Sequence, residues 1–322
     1  MATASGIGAI VLWSTTFAFA RSLSEQVGPL TAGAAAYLIG SAVCVARLLR
    51  SSEPLAAVRR LPRRYLLGCG FFFLLYTAAI YLAVGLAMDR EQVLEIALVN
   101  YLWPTLTILF SLPILRMRAN LWLVPGTALA LLGVFLVVTQ GARVTWVSWQ
   151  EHVQRNPTAY ILALVAAVSW ALYSNLTRRW AGPEGKGGAD LFVLVTGLVL
   201  LGMRCCVTEP TGWTVRAGCE AVGLGLVTML AYVLWDVAMR EGDLLFVATC
   251  SYFTPFLSTL VSCAYLKVTP GPELWIGCVL LISGSFLTRR SVSDGPTAAE
   301  QGKIPEHPTP NTQEPTSIAP ER

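Results

Sequence analysis

Four polar or amphipathic side chains, Asn100, Trp103, Thr107 and Ser111, recur at three- and four-residue steps in an otherwise apolar stretch. Such steps put them on one face of a helix. The pattern returns as Ser251, Thr254, Ser258 and Ser262, each 151 residues after its counterpart. A proline sits in each stripe, Pro104 within Asn100-Tyr101-Leu102-Trp103-Pro104 and Pro255 within Ser251-Tyr252-Phe253-Thr254-Pro255. Amides and hydroxyls can hydrogen-bond the carboxylate or amine of a small ligand without fixing a strong charge. Facing lipid they would cost free energy, because hydrocarbon offers no partner. Two matched stripes therefore predict a substrate path where two halves of the chain meet.

Aromatic side chains join the polar ones. Trp170, Tyr173, Ser174 and Thr177 lie at i, i+3, i+4 and i+7, and Thr228, Tyr232, Trp235, Asp236 and Met239 share another helical face. Trp13, Thr16 and Phe17 group near the N-terminus, and Tyr81/Tyr232 and Tyr101/Tyr252 are pairs at the same 151-residue offset. Ring faces stack on apolar or aromatic cargo and attract an ammonium group, worth about 0.5–2 kcal/mol. The candidate binding residues are thus Trp13, Thr16, Tyr81, Asn100, Tyr101, Trp103, Thr107, Trp170, Tyr173, Ser174, Tyr232, Trp235, Ser251, Tyr252 and Ser258. Trp122, Trp146, Trp149, Trp213 and Trp275 lie at the ends of apolar runs and read instead as interfacial belt or packing residues.

Pro104 and Pro255 lack the backbone donor a helix interior needs and should kink their helices. A hinge and a static kink are both compatible with that. Two acids, Glu95 and Asp236, stand inside apolar runs. An intramembrane carboxylate is a candidate for proton coupling. The competing reading pairs Asp236 with Arg240 at i,i+4 and notes that Glu95 lies near a span end, off the Asn100/Thr107 face.

These side chains need a scaffold that crosses a membrane. The 322 residues are 55% hydrophobic and 13% charged, with mean hydropathy +0.60. A soluble domain carries about 25% charged residues, so the fold class is an all-α polytopic membrane protein. Ten apolar runs qualify as spans: roughly 6–22, 30–49, 65–87, 91–114, 119–139, 158–177, 190–207, 219–240, 243–266 and 272–290. Met1–Ser5 carries no basic residue, so the first run reads as a span and not as a cleavable signal. Residues 291–322, rich in Pro, Thr and Glu, read as a disordered cytoplasmic tail.

With ten spans, 14 Lys and Arg fall on the side holding both termini and seven on the other. Basic loops stay in the cytoplasm, which predicts cytoplasmic termini. Tyr81–Pro104 aligns with Tyr232–Pro255 without a gap, and the same offset reaches Gly126/Gly277 and Gly133/Gly284. Residues 1–145 and 146–290 are therefore expected to be two five-helix repeats. Five is odd, so the second copy enters with opposite sense. Inverted repeats characterise secondary transporters with a site near the midplane.

Other classes find little support. The eight cysteines include no C-x-x-C pair, and the two histidines, His152 in a loop and His307 in the tail, argue against a metal site or a catalytic triad. The net charge of +4 reflects loop topology, not a nucleic-acid surface. No Walker motif is present, so no nucleotide cofactor and no direct ATP drive are expected. No obligate protein partner is evident. An intramembrane enzyme would need a compact set of nucleophile, base or metal ligands, and a receptor a substantial ligand or signalling domain.

Ten spans as five plus five, the run Trp13-Ser14-Thr15-Thr16-Phe17 and the paired Tyr-x-x-Pro motifs resemble the drug/metabolite transporter superfamily in its EamA branch, over about residues 5–290. The resemblance implies a basket-like bundle whose spans one to four and six to nine line a central cavity. It also implies export of aromatic and other apolar amino acids across a bacterial inner membrane, with the lipid bilayer and the amino acid as partners. An aromatic cavity would equally accept hydrophobic cations or drugs.

Overall fold

A computed structural model describes residues 1–50, 60–139, 145–182, 187–209, 212–266, 269 and 271–293. The side chains of Phe17, Arg21 and Ser262 lie outside what is described, as do residues 294–322 of the expected tail. The helices are α1 (Ala2–Val27), α2 (Pro29–Arg50), a π-helical turn Tyr65–Cys69 leading into α3 (Gly70–Gly85), α4 (Arg90–Asn100), α5 (Trp103–Ile114) and α6 (Leu123–Val138). They continue with α7 (Trp146–Arg155), α8 (Pro157–Trp180), α9 (Gly188–Cys205), α10 (Val215–Glu241), α11 (Leu244–Cys250), α12 (Thr254–Leu266) and α13 (Pro272–Ser291).

Seven segments are long and apolar enough to cross a bilayer: Pro29–Ala46, Tyr65–Gly85, Arg90–Ile114, Pro157–Trp180, Gly188–Cys205, Val215–Glu241 and Leu244–Val261. The chain is thus a helical, multi-pass membrane protein. Helices α1, α6 and α13 occupy the other three expected spans. The 16 residues of α6 rise only about 24 Å against a hydrocarbon core of about 30 Å. Large apolar side chains such as Leu67, Val124 and Val279 stay exposed on the outside of the bundle, where lipid is their solvent.

Two expectations change in detail. The chain does not enter a tail at Ser291. That residue closes α13, and Val292–Ser293 pair antiparallel with Arg118–Ala119. His152 is not in a loop but on α7, which opens on a capping box between Thr145 and Ser148.

The prolines act one turn away from where a simple interior kink would put them. A proline ring clashes with the carbonyl four residues back, and for Pro104 that residue is Asn100, where α4 ends. The chain turns through Tyr101–Leu102, and Pro104 sits in the first turn of α5, where its missing donor costs little. The counterpart is a 3-10 turn, Ser251–Phe253, between α11 and α12, with Pro255 in the first turn of α12. Both expected spans are therefore broken helices, at matching positions.

Thr3 accepts from the Asp243 backbone, and Arg289 pairs with Asp243 at 2.8 Å. The start of α1 and the end of α13 therefore share one end of the bundle, called proximal below; the other is distal. Packing is reciprocal: α1 lies along α10, α3 along α8, α2 along α9 and α6 along α13. At the last of these, a Cβ on Gly133 would meet the Gly277 carbonyl at 2.8 Å, so only glycine allows the approach.

Candidate functional site

A cavity of about 310 Å³ lies between the halves, near the lower end of the ~300–1,000 Å³ typical of small-molecule sites. Trp13, Thr16, Tyr81, Asn100, Tyr101, Trp103, Trp170, Tyr232 and Ser258 line it, joined by Tyr37, Tyr76, Thr228 and Thr254. Its walls come from the distal part of α1, α2 and α3, the length of α4, the start of α5 and α12, and the middle of α8 and α10. It therefore extends from the bundle centre toward the distal end.

Fused rings form its floor. Trp13 meets Trp170 edge-on at 5.5 Å and lies 5.1 Å from Trp235, while Trp103 meets Trp235 edge-on at 5.5 Å. Phe73 stands edge-on to Tyr232 at 4.7 Å. Each pair contributes about 0.5–1.5 kcal/mol beyond burial. Tyr37 and Tyr232 share a hydroxyl contact of 2.5 Å, tying α2 to α10. Trp170 takes part in many of these ring contacts because α8 packs against both α3 and α5.

Six candidates lie behind this surface. Thr107, Ser174 and Ser251 donate to the backbone carbonyls of Trp103, Trp170 and Val247 and are fully buried. Ser174 also accepts from Trp235 Nε1 at 3.3 Å, and Trp235 itself is fully buried beneath the floor. Tyr173 packs against Phe73 and Phe192. Tyr252 meets the Thr105 hydroxyl at 2.6 Å, joining the two broken helices to each other. These residues support the cavity and do not face it.

Two polar atoms of wall residues are buried and have no hydrogen-bond partner among the described residues: Asn100 Oδ1 and Thr254 Oγ1. Buried polar atoms are normally satisfied, so a ligand that reached either one would supply a bond that is otherwise missing. None of the described lining side chains carries a charge. A zwitterion, with no net charge, suits such a wall better than an ion whose charge would be buried alone.

Toward the proximal end a hydrogen-bonded cluster joins the two halves. Tyr65 donates to Asp236 at 2.6 Å, Arg240 Nε donates to the same carboxylate at 2.7 Å, and Arg178 donates to the Arg240 carbonyl at 2.8 Å. Asp236 is thus paired with Arg240, as its i,i+4 spacing allowed. Glu95, fully buried, turns away from the cavity. It accepts from Tyr160, and its oxygens lie 3.2 and 3.0 Å from His152 Nδ1.

Sequence reasoning missed Tyr37, Tyr65, Tyr76, Tyr160 and His152. Tyr76 and Tyr81 fall five residues apart among large apolar side chains, and Tyr37 stands alone in a small-residue helix. For His152 the available signal was the Thr145-x-x-Ser148 cap.

A bundle of membrane-crossing helices around a ring-lined, uncharged cavity defines a carrier for small molecules. The chain matches the EamA-like transporter family over residues 2–139 and 157–290, and it belongs to that family. It is 32% identical over 287 residues to the aromatic amino acid exporter YddG of Escherichia coli strain K12, covering 89% of this chain and 96% of that one. The protein of the same name from Ancylobacter novellus is 34% identical over 290 residues, covering 88% and 95%. A solved crystal structure superposes with a TM-score of 0.74 at 28% identity, covering 89% of this chain and 96% of that one.

Proposed function

We propose that this chain exports amino acids, aromatic and other apolar ones, across a bacterial inner membrane by alternating access. The observation that carries the proposal is the cavity: ring-walled, without a charged side chain among its described lining, and offering Asn100 Oδ1 and Thr254 Oγ1 as unpartnered acceptors for an ammonium. Relatives named as aromatic amino acid exporters support the choice of cargo.

In this proposal the chain crosses ten times as two inverted repeats, residues 1–145 and 146–290. The matched breaks before Pro104 and Pro255 and the reciprocal packing support it. The excess of basic residues at the proximal end supports cytoplasmic termini. The Tyr65–Asp236–Arg240 cluster then lies toward the cytoplasm and the cavity in the outer half. The two prolines are hinges that let α5 and α12 tilt while α4 and α11 stay packed. The partners are the amino acid and the bilayer, and no cofactor enters the cycle.

A second reading changes only the cargo. The same rings would attract a hydrophobic cation. Reconstituted protein should move labelled phenylalanine and leave a cationic dye at the rate of protein-free vesicles. Dye movement without phenylalanine movement would replace the first reading by the second.

A further inference from the structure

Behind α4, on the side away from the cavity, three ionisable residues form a chain from the distal surface to a fully buried carboxylate. Asp89, half exposed, lies 3.2 Å from Nε2 of His152. The Nδ1 atom on the other side of the ring lies 3.2 and 3.0 Å from the two oxygens of Glu95. Tyr160 from α8 donates to the same Glu95 carboxylate.

Both ring nitrogens therefore face carboxylate oxygens. A neutral imidazole has a single N–H, so it would set a lone pair against one carboxylate. An imidazolium donates in both directions. If the ring is neutral, one of the acids must carry the proton instead. Either way the trio is complete only with one proton more than a neutral ring and two carboxylates supply. Among the described residues no nearby cation offers an alternative. On α7 the remaining charges, Glu151 and Arg155, pair with each other at 3.6 Å on the exposed side. On α4, Arg90 is exposed, Glu91 lies in the first turn and Gln92 accepts from the Met88 backbone. Helix α6 brings no titratable side chain, α8 brings Tyr160 alone to this end, and the tyrosines of α3 line the cavity.

We infer that Asp89, His152 and Glu95 form a proton-binding site, filled from the distal side, whose occupancy sets how firmly α4 is held against α7 and α8. Helix α7 buries no residue of its own, so this cluster, the Trp149–Tyr160 ring contact at 5.7 Å and the bonds that Asn156 at its C-terminal cap donates to Leu86 and Gln92 hold it to the bundle. Loss of the proton turns one attachment into an acceptor–acceptor contact. Helix α4 carries Val93, Ile96, Ala97 and Asn100 in the cavity wall, so its loosening widens the distal mouth. The effect on transport rests on the exporter proposal; the proton site itself does not.

The chain has two histidines. In full-length His307→Gln protein labelled at histidine with nitrogen-15, the ring signal reports His152 alone. It is expected to change as the distal pH is varied, and Glu95→Gln should alter that response, because one of the two carboxylates that the ring faces is then gone. In proteoliposomes, phenylalanine transport should rise several-fold as the distal pH increases. Glu95→Gln and Asp89→Asn should flatten that profile, since an amide can meet a neutral ring without an added proton, and Asn keeps the cap that Asp89 places on Gln92. A His152 signal that stays fixed as the pH is varied overturns the inference, and so does an unchanged transport profile in both variants. If no phenylalanine moves at any pH the exporter proposal fails, and the ring signal alone then decides the proton site.

Discussion

Tyr65 donates its hydroxyl to Asp236 Oδ1 at 2.6 Å, joining the turn before α3 to the proximal part of α10. The two residues belong to different halves of the chain, and Arg240 completes the contact by donating to Oδ2 at 2.7 Å. A carrier that opens to the proximal side must part this pair. A hydrogen bond to a buried charged group is worth about 1.5–3 kcal/mol. Tyr65→Phe should therefore raise the share of proximally open molecules by about tenfold or more. Cys69, fully buried and free in the same turn, reports it. Its maleimide labelling, followed on its own peptide by mass spectrometry, should speed up by the same factor. Unchanged labelling would mean that Tyr65 does not restrain opening.

Thr254 has a hydroxyl that is buried in the cavity wall and has no partner among the described residues. Removing it strands nothing. Thr254→Val should leave thermal unfolding of the purified protein unchanged or slightly later, while phenylalanine affinity falls about fivefold for the loss of roughly 1 kcal/mol. A drop in stability with intact affinity would make the hydroxyl a structural group.

Helices α6 and α13 meet with Gly133 against Gly277, outside the cavity lining. Overpacking of this kind costs about 1–3 kcal/mol. Gly133→Val should lower the unfolding temperature measurably, yet the KM for phenylalanine of the protein that remains folded should stay at its wild-type value. A changed KM would show that this pair of helices moves during transport.

Much of this was legible in the amino acids. The 151-residue offset placed the two helix breaks, because a proline clashes with the carbonyl four residues back wherever it stands. Asn100, Trp103 and Trp170 were readable as cavity residues, since they stand in mid-span on polar faces, away from the interfaces where indoles gather. Thr107, Ser174 and Ser251 misled for a physical reason. Inside a helix, Ser and Thr can donate to the carbonyl four residues back, and all three do so. A polar stripe of hydroxyls therefore marks a buried face but not a wet one, whereas Asn100 keeps an oxygen without a partner. His152 was hidden because its role depends on α7 folding back over α4, a tertiary contact with no periodicity. Asp236 and Arg240, by contrast, pair within one helix, and their spacing announced it.

The central claim is that one ring-lined chamber takes an amino acid from one side of the membrane and releases it on the other. Counterflow tests it most directly. Proteoliposomes loaded with unlabelled phenylalanine are diluted into a trace of labelled phenylalanine, and entry of label is followed in time. Alternating access through this chamber predicts a transient accumulation of label above its equilibrium level, strongly reduced in Trp103→Ala. Label that enters no faster than in protein-free vesicles, with no overshoot, would contradict it.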